Sequence, residues 1–573
     1  MVRATRSSLA GIVMLVVLGA AGCALWTLHS EAWSLGRRSS VLNHDGARHA
    51  LAARELARHG RLATTFALPF TLIQHPRAPW PVEDVEPGMV GLAALAMRLA
   101  PISLAVGRVE LGSWERPDQL EWLIVPIPFT CFLLLGLVVG LAALKILQAH
   151  SGASPPVAAL IAGIAGLLVM LDPESQHLAT GGTPALPFTL GVLGTVTTLV
   201  LGLAPLRPFR AGLIAGLTVL FRMSAAWIGP VLAIAAGLTA VPGRRRMVFA
   251  RALLGFALPL APWWIYQAVT LGSPFGDHPT LALWDGIQMR SLFALVHVAH
   301  APDLPGGFSA AWLVTQKTFS RLPGILLQLT IGLGALQLGA LAIAAFDRGL
   351  HRNVRVASRT ILVLIAGFVI GTAATVIEPG ALHAARLLIL AAGTLAALGV
   401  ASRLPALAGG ARVARPIQAL VLVMALAWGG WQTARGLVEA REASRARGTP
   451  TVLTLLQIAV LLQREVEPGQ PVVCNLGPLL AWHARRPVIH LPLAPEDLES
   501  CRERTEFRHV LLVFRDAAEA WPGWEDVLAH PGEARDRPEL NIHRMREFRS
   551  PDGFRIVWFE LGPPAPRFAL GSR

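Results

Sequence analysis

The chain has 573 residues, of which 53% are hydrophobic and 15% are charged, and its mean hydropathy is +0.53. A soluble protein of this length cannot bury so large an apolar fraction, so the composition excludes an ordinary soluble domain and indicates a polytopic membrane protein. The formal net charge of +14 comes mostly from short arginine clusters between apolar runs, as at 207–210, 243–247 and 347–355. This positive-inside pattern predicts contact with the lipid bilayer and excludes nucleic acid as the partner.

Apolar runs predict about 11 membrane-embedded segments, because a span needs about 20 residues. They lie near residues 9–28, 120–147, 157–171, 185–204, 211–241 (two segments), 248–269, 323–346, 358–377, 384–402 and 416–434. The first is predicted to be an uncleaved signal anchor. A lipoprotein signal ending at Cys23 is the alternative, although Ala20 stands where such signals usually have a large aliphatic residue.

The run from 211 to 241 is too long for one span and short for two. Arginines flank both of its ends, so both ends are predicted to be cytoplasmic. We therefore interpret the run as two half-length helices that meet near Arg222.

Charge also predicts the topology and the domain organisation. With the arginine clusters in the cytoplasm, the N-terminus is cytoplasmic, and residues 29–119 and 270–322 form outer loops. The predicted fold class is mainly α: a polytopic membrane domain over 1–442, followed by a small extracytoplasmic α/β domain over 443–573.

The tail over 443–573 alternates strand-like and helix-like segments. "PVVCNL", "PVIHLP" and "HVLLVF" predict strands, "PLLAWHA", "PEDLESCRER" and "AAEAWPGWEDVLAH" predict helices, and "NIHRMREF" with "FRIVWFEL" predicts a closing pair of strands. "VLTLLQIAVLL" is too short to cross a bilayer and is predicted to be a helix of this domain. Only Cys474 and Cys501 are candidates for a disulfide, and the sequence leaves open whether they pair.

Asp45 begins the amphipathic segment "DGARHALAARELARHG", just after the first apolar run. One interpretation is an N-terminal helix cap, with Gly60 as the C-terminal cap. A carboxylate at the positive end of a helix is also held ionised. Asp45 is therefore a candidate general base for an acceptor hydroxyl or amine at the membrane interface.

A second acidic group, Glu83, Asp84 and Glu86, lies among prolines in "WPVEDVEPGMVG". It precedes an apolar stretch, residues 89–106, that we predict to lie along the membrane surface. Most acidic loops are merely solvated. One of these carboxylates is nevertheless a candidate second acid beside Asp45, or a ligand for a divalent cation, since hard cations bind oxygen.

Two arginines in apolar sequence are candidates for binding a phosphate. Arg222 either faces a polar cavity or snorkels to an interface, because charge at membrane depth is costly. Arg386 is predicted at the outer end of a span, near Glu378 and His383. A guanidinium fork there matches an anionic phosphate, and an interfacial anchor paired with Glu378 is the alternative.

Other motifs, present or absent, limit the kinds of reaction that the protein could catalyse. His297, His300 and Asp303 resemble a metal cluster, but three ligands in one run without a fourth are a weak signal, and no metal site is assigned. The sequence contains no Walker loop, no dinucleotide fingerprint after a strand and no Gly-x-Ser-x-Gly. A donor that is activated elsewhere and carried in the membrane fits this absence.

Several stretches, in order, resemble the GT-C superfamily of polytopic glycosyltransferases, which use polyprenyl-phosphate sugars and include protein O-mannosyltransferases and aminoarabinose transferases. "HDGARHALAARELARHGRLA" resembles the first outer loop of that superfamily, and "RAGLIAGLTVLFRMSAAWIGPVL" resembles its segment with glycines and an arginine. "LPLAPWWIYQAVTLGSPFGDH" resembles the span that leads to a Gly-Ser-Pro-Phe loop, and "EPGQPVVCNLGPLLAWHARRPVIHLP" resembles the outer α/β domain of many bacterial members.

This resemblance implies an inverting transfer of a sugar from a polyprenyl phosphate to an envelope acceptor, at the outer face of a bacterial-type inner membrane. It implies that Asp45 is the catalytic base and that Arg386, helped by Arg222, binds the donor phosphate. Three positions depart from the family pattern. Gly46 stands where many members have a second acid, His49 stands where they have a tyrosine and so becomes a substrate-cavity candidate, and Pro184 lies near an expected glutamate.

Two other functions remain open. A GT-C-like protein without catalysis could act as a binding or assembly subunit, in which case Asp45 need not share a cavity with Arg222 or Arg386. A transporter would need a polar path through the whole membrane, and the predicted spans contain few charged residues.

Overall fold

Apolar helices make up most of the computed structural model. It describes residues 2–35, 42–83, 85–100, 120–150, 155–200, 208–274, 281, 283–284, 287, 307–330, 334–350, 352–375, 379–401, 424, 427–439, 450–516, 520–537 and 540–563. Within these residues, five helices are long and apolar enough to cross a membrane, or six if one bent pair forms a single span. The fold is that of a polytopic, mainly α membrane protein with a small C-terminal α/β region, as predicted.

The helices in chain order are α1 (Val2–Leu35), α2 (His44–His59), α3 (Thr71–Gln74), α4 (Pro87–Leu99), α5 (Glu121–Ile124), α6 (Pro126–His150), α7 (Pro155–Met170), α8 (Pro173–Leu178), α9 (Ala185–Val200), α10 (Pro208–Val219), α11 (Ile228–Thr239), α12 (Arg245–Leu271), α13 (Gly307–Thr330), α14 (Gly334–Phe346), α15 (Arg352–Thr375), α16 (Pro379–Ala401), α17 (Val452–Glu465), α18 (Gly477–Ala484), α19 (Asp497–Arg504) and α20 (Pro522–Ala529). The strands are β1 (Ala63–Thr64), β2 (Phe66–Ala67), β3 (Trp80–Pro81), β4 (Val472–Cys474), β5 (Val488–His490), β6 (His509–Phe514), β7 (Ile542–Arg549) and β8 (Arg555–Leu561).

Two half-length helices, α10 and α11, occupy the run that the sequence divides near Arg222. They are separated by residues 220–227, and Arg222 lies in this break, so the prediction is confirmed. Helix α10 packs closely on α12, because a Cβ on Gly212 or Gly216 would collide with backbone carbonyl oxygens of α12.

Two other predicted segments need comment. The predicted outer loop 270–322 is helical from Gly307 onward, because α13 begins there. The span predicted near 323–346 corresponds to the end of α13 together with α14, two helices whose axes differ by 96°. The predicted boundary between residues 442 and 443 lies outside the described residues.

The C-terminal region forms one mixed sheet of strand order β2-β5-β4-β6-β8-β7. Strands β2, β5, β4 and β6 are parallel neighbours, and β7 and β8 close the sheet in antiparallel fashion. All five C-terminal strands predicted from the sequence are confirmed, as are the helices between them and α17. The edge strand β2 comes from the first outer loop, where Phe66 lies opposite Val488.

Cys474 and Cys501 are both free and buried. Cys474 packs with α17 and α18 on one face of the sheet, whereas Cys501 packs with α19 and α20 on the other. The sheet therefore separates the two thiols, and the disulfide that the sequence left open does not form.

Helix α2 is attached directly to the C-terminal region. The buried guanidinium of Arg54 donates to the carbonyl oxygens of Trp482 (3.2 Å) and Ala481 (3.4 Å), and it lies 4.8 Å from the Trp482 ring centroid. These carbonyl groups end α18, where a cation complements the helix dipole. The indole of Trp482 donates to the buried carboxylate of Glu121 at 3.0 Å. The helix that carries Asp45 is thus held between the membrane helices and the sheet.

Candidate functional site

Asn43, and not Asp45, caps the N-terminus of α2. The Asn43 side chain accepts a hydrogen bond from the Gly46 amide at 2.7 Å, and Gly60 forms the left-handed C-terminal cap with φ 69°. The predicted cap role of Asp45 is therefore wrong, because the residue two positions earlier already satisfies the amide. Asp45 lies half-buried in the first turn, and it lines a cavity of about 210 Å³.

His49 lies one turn after Asp45 and forms a buried pair with Glu86. Its Nδ1–H donates to the Asp45 carbonyl oxygen at 2.7 Å, and its Nε2 lies 2.7 Å from Oε2 of Glu86. A carbonyl oxygen only accepts, so Nδ1 must carry a proton. Nε2 then shares a second proton with the Glu86 carboxylate, and the pair is best described as imidazolium and carboxylate.

Both pKa values support an ion pair. Burial acts to lower the pKa of His49, but the hydrogen bond and charge of Glu86 outweigh it and raise that pKa. Burial acts to raise the pKa of Glu86, but His49, together with the charge of Arg222, lowers it. Glu86 is therefore ionised and already neutralised by neighbouring cations.

The stability contributed by this pair should depend on pH. The His49 contribution is complete below the ordinary pKa of 6.5 and is lost as pH rises through the raised value, while the Glu86 contribution is complete above 4.5 and is lost as pH falls through the lowered value. We expect the melting temperature in lipid nanodiscs of wild type to exceed that of His49→Gln/Glu86→Gln most between pH 4.5 and 6.5. The excess should shrink at alkaline pH. A difference that stays constant to pH 9, within about 1 °C, would contradict the ion pair.

Two arginines line the same cavity. Arg222, at the break between α10 and α11, is 3% exposed, and Arg48 lies on the face of α2 that carries Asp45 and His49. A helix brings residues at spacings of three and four to one side, so Asp45, Arg48 and His49 face the cavity together. Arg222 thus faces a polar cavity, which is one of the two alternatives that the sequence left open.

Residues of α8 and α16 form another wall of the cavity. Asp172 caps α8 by accepting from the Ser175 amide at 2.9 Å, and Glu174 in its first turn binds His383. Arg386 forms ion pairs through Nη1 with Oε2 of Glu174 at 2.5 Å and through Nη2 with Oδ1 of Asp172 at 3.8 Å, and 44% of its side chain is exposed. His383 lines the cavity, whereas Arg386 stands behind it and is paired with these two carboxylates. The partners of Arg386 are thus acids of α8, and Glu378 lies outside the described residues.

The three candidates for a second acid are not equivalent. Glu86 lines the cavity. Glu83 faces elsewhere, since its carboxylate accepts from the Thr71 hydroxyl at 3.3 Å and lies 4.0 Å from His75. Asp84 lies outside the described residues, as do the predicted metal ligands His297, His300 and Asp303. In the described part of the chain, no three His, Cys, Asp or Glu side chains converge to hold a metal ion, and a divalent cation stays a prediction.

Some cavity residues were not anticipated from the sequence. Arg48, His177 and Thr183 line the cavity, and so does Pro184, near which a glutamate was expected. Helical spacing from Asp45 would have identified Arg48. The Asp-Pro-Glu start of α8, between two apolar runs, would have pointed to Asp172 and Glu174, because Pro after an aspartate is typical of a capped helix.

No protein-family model matches this sequence. No curated protein matches it either. Several solved structures, in contrast, are similar to this chain. ArnT from Cupriavidus metallidurans bound to undecaprenyl phosphate has a TM-score of 0.53 at 13% identity, over 95% of this chain and 97% of that chain. The apo state of the same protein gives 0.51 at 14% identity over the same shares.

An oligosaccharyltransferase from Archaeoglobus fulgidus, tethered to an acceptor peptide containing the NVT sequon, has a TM-score of 0.52 at 13% identity. The match covers 94% of this chain and 73% of that chain. Both matched proteins are GT-C superfamily members. At this identity the likeness concerns the fold, and it extends over nearly the whole of this chain. The polypeptide therefore has the GT-C fold, which confirms the resemblance seen in its sequence.

Proposed function

We propose that this protein is an inverting membrane glycosyltransferase. It moves a sugar from a polyprenyl-phosphate donor to an envelope acceptor, which is a lipid, a polysaccharide or a protein. The reaction takes place at the outer face of a bacterial-type inner membrane. The arginine clusters between apolar runs support this orientation, with the N-terminus cytoplasmic and the C-terminal region outside.

One observation carries the proposal: Asp45 and Arg222 line the same cavity. With Arg48, His49 and Glu86, the cavity holds three cations and two carboxylates, so positive charge is in excess. Such a site favours an anionic ligand beside a carboxylate base. The matched ArnT structure contains undecaprenyl phosphate, which supports a lipid phosphate as the ligand here.

In the proposed reaction Asp45 takes the proton from the acceptor hydroxyl or amine. The acceptor atom forms a bond to the anomeric carbon while the bond from that carbon to the phosphate oxygen breaks, and the configuration inverts. Arg222, with Arg48 beside it, stabilises the charge that develops on the departing polyprenyl phosphate. The Arg386 guanidinium is already paired with Glu174 and Asp172. We therefore assign the main contact with the donor phosphate to Arg222, and we place Arg386 at the outer edge of the phosphate site.

His49 and Glu86 have a positioning role in this proposal. The imidazole Nδ1–H holds the Asp45 carbonyl oxygen and Glu86 holds the imidazole, so the pair orients the first turn of α2. Since Glu86 is bound by His49, it is a poor second base. Asp45 is the base that the cavity offers.

The two rival functions are less well supported. A binding subunit would not need a carboxylate and two arginines in one cavity. A transporter would need polar groups facing a path, but several buried threonines of the described apolar helices bond within their own helices. Thr189, Thr197 and Thr360 each donate to the carbonyl oxygen four residues earlier, at 2.8 Å.

Glycan analysis of the envelope tests the proposal. Lipid, polysaccharide and protein fractions are compared between cells with the wild-type chain and cells without it. We expect one fraction to lose a sugar when the chain is absent and to regain it when the wild-type gene returns. Purified wild-type protein in nanodiscs should then transfer labelled sugar from the polyprenyl-phosphate pool to that fraction. Unchanged fractions together with no transfer would refute a glycosyltransferase.

A further inference from the structure

Four aromatic side chains cluster between α2 and the C-terminal sheet: three form a triangle, and the fourth adjoins one of its corners. His44 begins α2, Phe66 lies in β2, His490 ends β5 and Trp521 precedes α20. The ring centroids are separated by 6.5 Å (His44 to Phe66), 6.3 Å (His44 to His490), 6.1 Å (Phe66 to His490) and 5.8 Å (His490 to Trp521). We call these four side chains the ring row.

The fold holds the ring row in place. Phe66 and His490 lie on adjacent parallel strands, and Phe66 is only 6% exposed. Gly477 makes room for both rings, because a Cβ there would lie 2.8 Å from His490 and 2.9 Å from Phe66. His44 is exposed, while His490 and Trp521 are half-buried. A buried phenyl ring thus supports three rings that retain accessible surface.

The ring row is uncharged at neutral pH. Burial lowers the pKa of His490 to about 3, with further lowering by the charges of His44 and Arg48. Although the His44 residue keeps exposed surface, desolvation of its ring lowers its pKa to about 4, with Asp45 opposing this shift and the Arg48 charge adding to it. His490 also donates from Nδ1 to the Leu491 carbonyl oxygen at 3.2 Å, so its Nε2 is an acceptor.

The ring row adjoins residues that line the Asp45 cavity. His44 precedes Asp45 in the sequence, and Arg48 lines the cavity. Arg48 is also close enough to His44 and His490 for its charge to lower both pKa values. A molecule that reached Asp45 and extended toward β5 would therefore come close to His44 and His490.

We propose that the ring row binds a sugar ring of the acceptor, so that the acceptor is a glycan or glycolipid. This inference rests on the proposed function and names its acceptor class. The His490 and Trp521 rings are inclined by only 34° to each other and so offer π faces to the C–H face of a pyranose, while the other rings stand edge-on to His490. A neutral imidazole nitrogen is an acceptor for sugar hydroxyl groups. Neutral rings provide no charge to pair with an ionic partner, which favours a hydroxyl-rich ligand.

Saturation-transfer NMR tests this proposal on the full chain in nanodiscs. The probe is the oligosaccharide mixture released by mild acid from the envelope of cells that lack this chain, since it contains the unmodified acceptor. We expect saturation to reach sugar C–H protons in wild type and to fall at least fivefold in Trp521→Ala. Trp521→Phe, which keeps a ring, should retain most of the signal.

His543→Ala is the matched control. His543 is an exposed histidine on β7, at the sheet edge opposite to β2. The signal should be unchanged in His543→Ala. If Trp521→Ala fails to fold, His44→Leu at the exposed start of α2 makes the same comparison, and the same fivefold fall is expected.

The outcome is independent of catalysis. A wild-type protein that binds these sugars but transfers none would refute only the proposed function. Absence of saturation transfer from every oligosaccharide, or an unchanged signal in both Trp521→Ala and His44→Leu, would overturn the sugar-binding proposal. Binding of protease-released envelope peptides in place of the oligosaccharides would also overturn it, even if transferase activity were intact.

Discussion

Replacing Asp45 with asparagine should lower kcat for sugar transfer by about 10²–10⁴-fold, because a general base contributes that much to a rate. The amide has a similar shape but cannot take the proton of the acceptor. Asn43 supplies the helix cap, so α2 should remain intact. The loss of one first-turn charge costs about 0.3–1 kcal/mol of helix stability. The measurement is transfer of labelled sugar by purified protein in nanodiscs, with melting temperature recorded in parallel.

Asp497→Asn provides the matched control. Asp497 also lies in the first turn of a helix, α19, but in the C-terminal region away from the cavity. Its substitution removes the same charge and should leave kcat unchanged. Wild-type kcat in Asp45→Asn would remove Asp45 as the base. A similar loss of kcat in both variants would assign the effect to stability and not to proton transfer.

The sequence predicted those parts of the fold that depend on local patterns. The alternation of strand-like and helix-like segments gave five of the six strands in the large sheet, and the length of the run around Arg222 gave the broken helix pair. The sixth strand, β2, could not be predicted, because Phe66 and Ala67 form a strand only by pairing with residues more than 400 positions later. Two residues carry no periodicity of their own.

The sequence predicted which residues belong to the site better than it predicted how those residues pair with one another. Asp45, His49, Glu86 and Arg222 were identified, and they line one cavity. The pairing of His49 with Glu86 depends on how α2 packs against α4, and the pairing of Arg386 with Glu174 joins elements about 200 residues apart. Neither follows from spacing. The cap role of Asp45 was misassigned because Asn43 and Asp45 are both good capping residues, and only backbone geometry distinguishes them.

Helix α2 connects the proposed steps of the reaction. Its first turn carries Asp45, and its middle carries Arg54, which binds the end of α18. Phe66, shortly after α2, extends the sheet that carries His490. The base and the ring row are therefore attached to one continuous segment, so that an acceptor held by the C-terminal region would be fixed in position relative to Asp45. Such positioning lowers the entropic part of a reaction barrier.

Replacing Arg222 with glutamine should have the second large effect. We expect kcat to fall by about 10²–10³-fold, the cost of removing one group that stabilises developing negative charge. Arg222→Lys keeps the charge but loses the planar fork, so it should retain an intermediate rate. The inhibition constant of added undecaprenyl phosphate should rise from wild type to Arg222→Lys to Arg222→Gln. The reason is that the lipid phosphate released in the reaction would bind Arg222 through the same phosphate group. Both quantities are measured with purified protein in nanodiscs.

Arg210→Gln is the control, because Arg210 is an exposed arginine at the start of α10, the helix that precedes Arg222, and lies outside the cavity. It should change neither kcat nor inhibition. Loss of Arg222 also removes a cation that lowers the pKa of Glu86, but His49 remains to hold that carboxylate, so folding should persist. If Arg222→Gln kept wild-type inhibition by undecaprenyl phosphate, the phosphate would have to bind elsewhere. Arg48 would be the next candidate, since it lines the same cavity and lies one turn from the base.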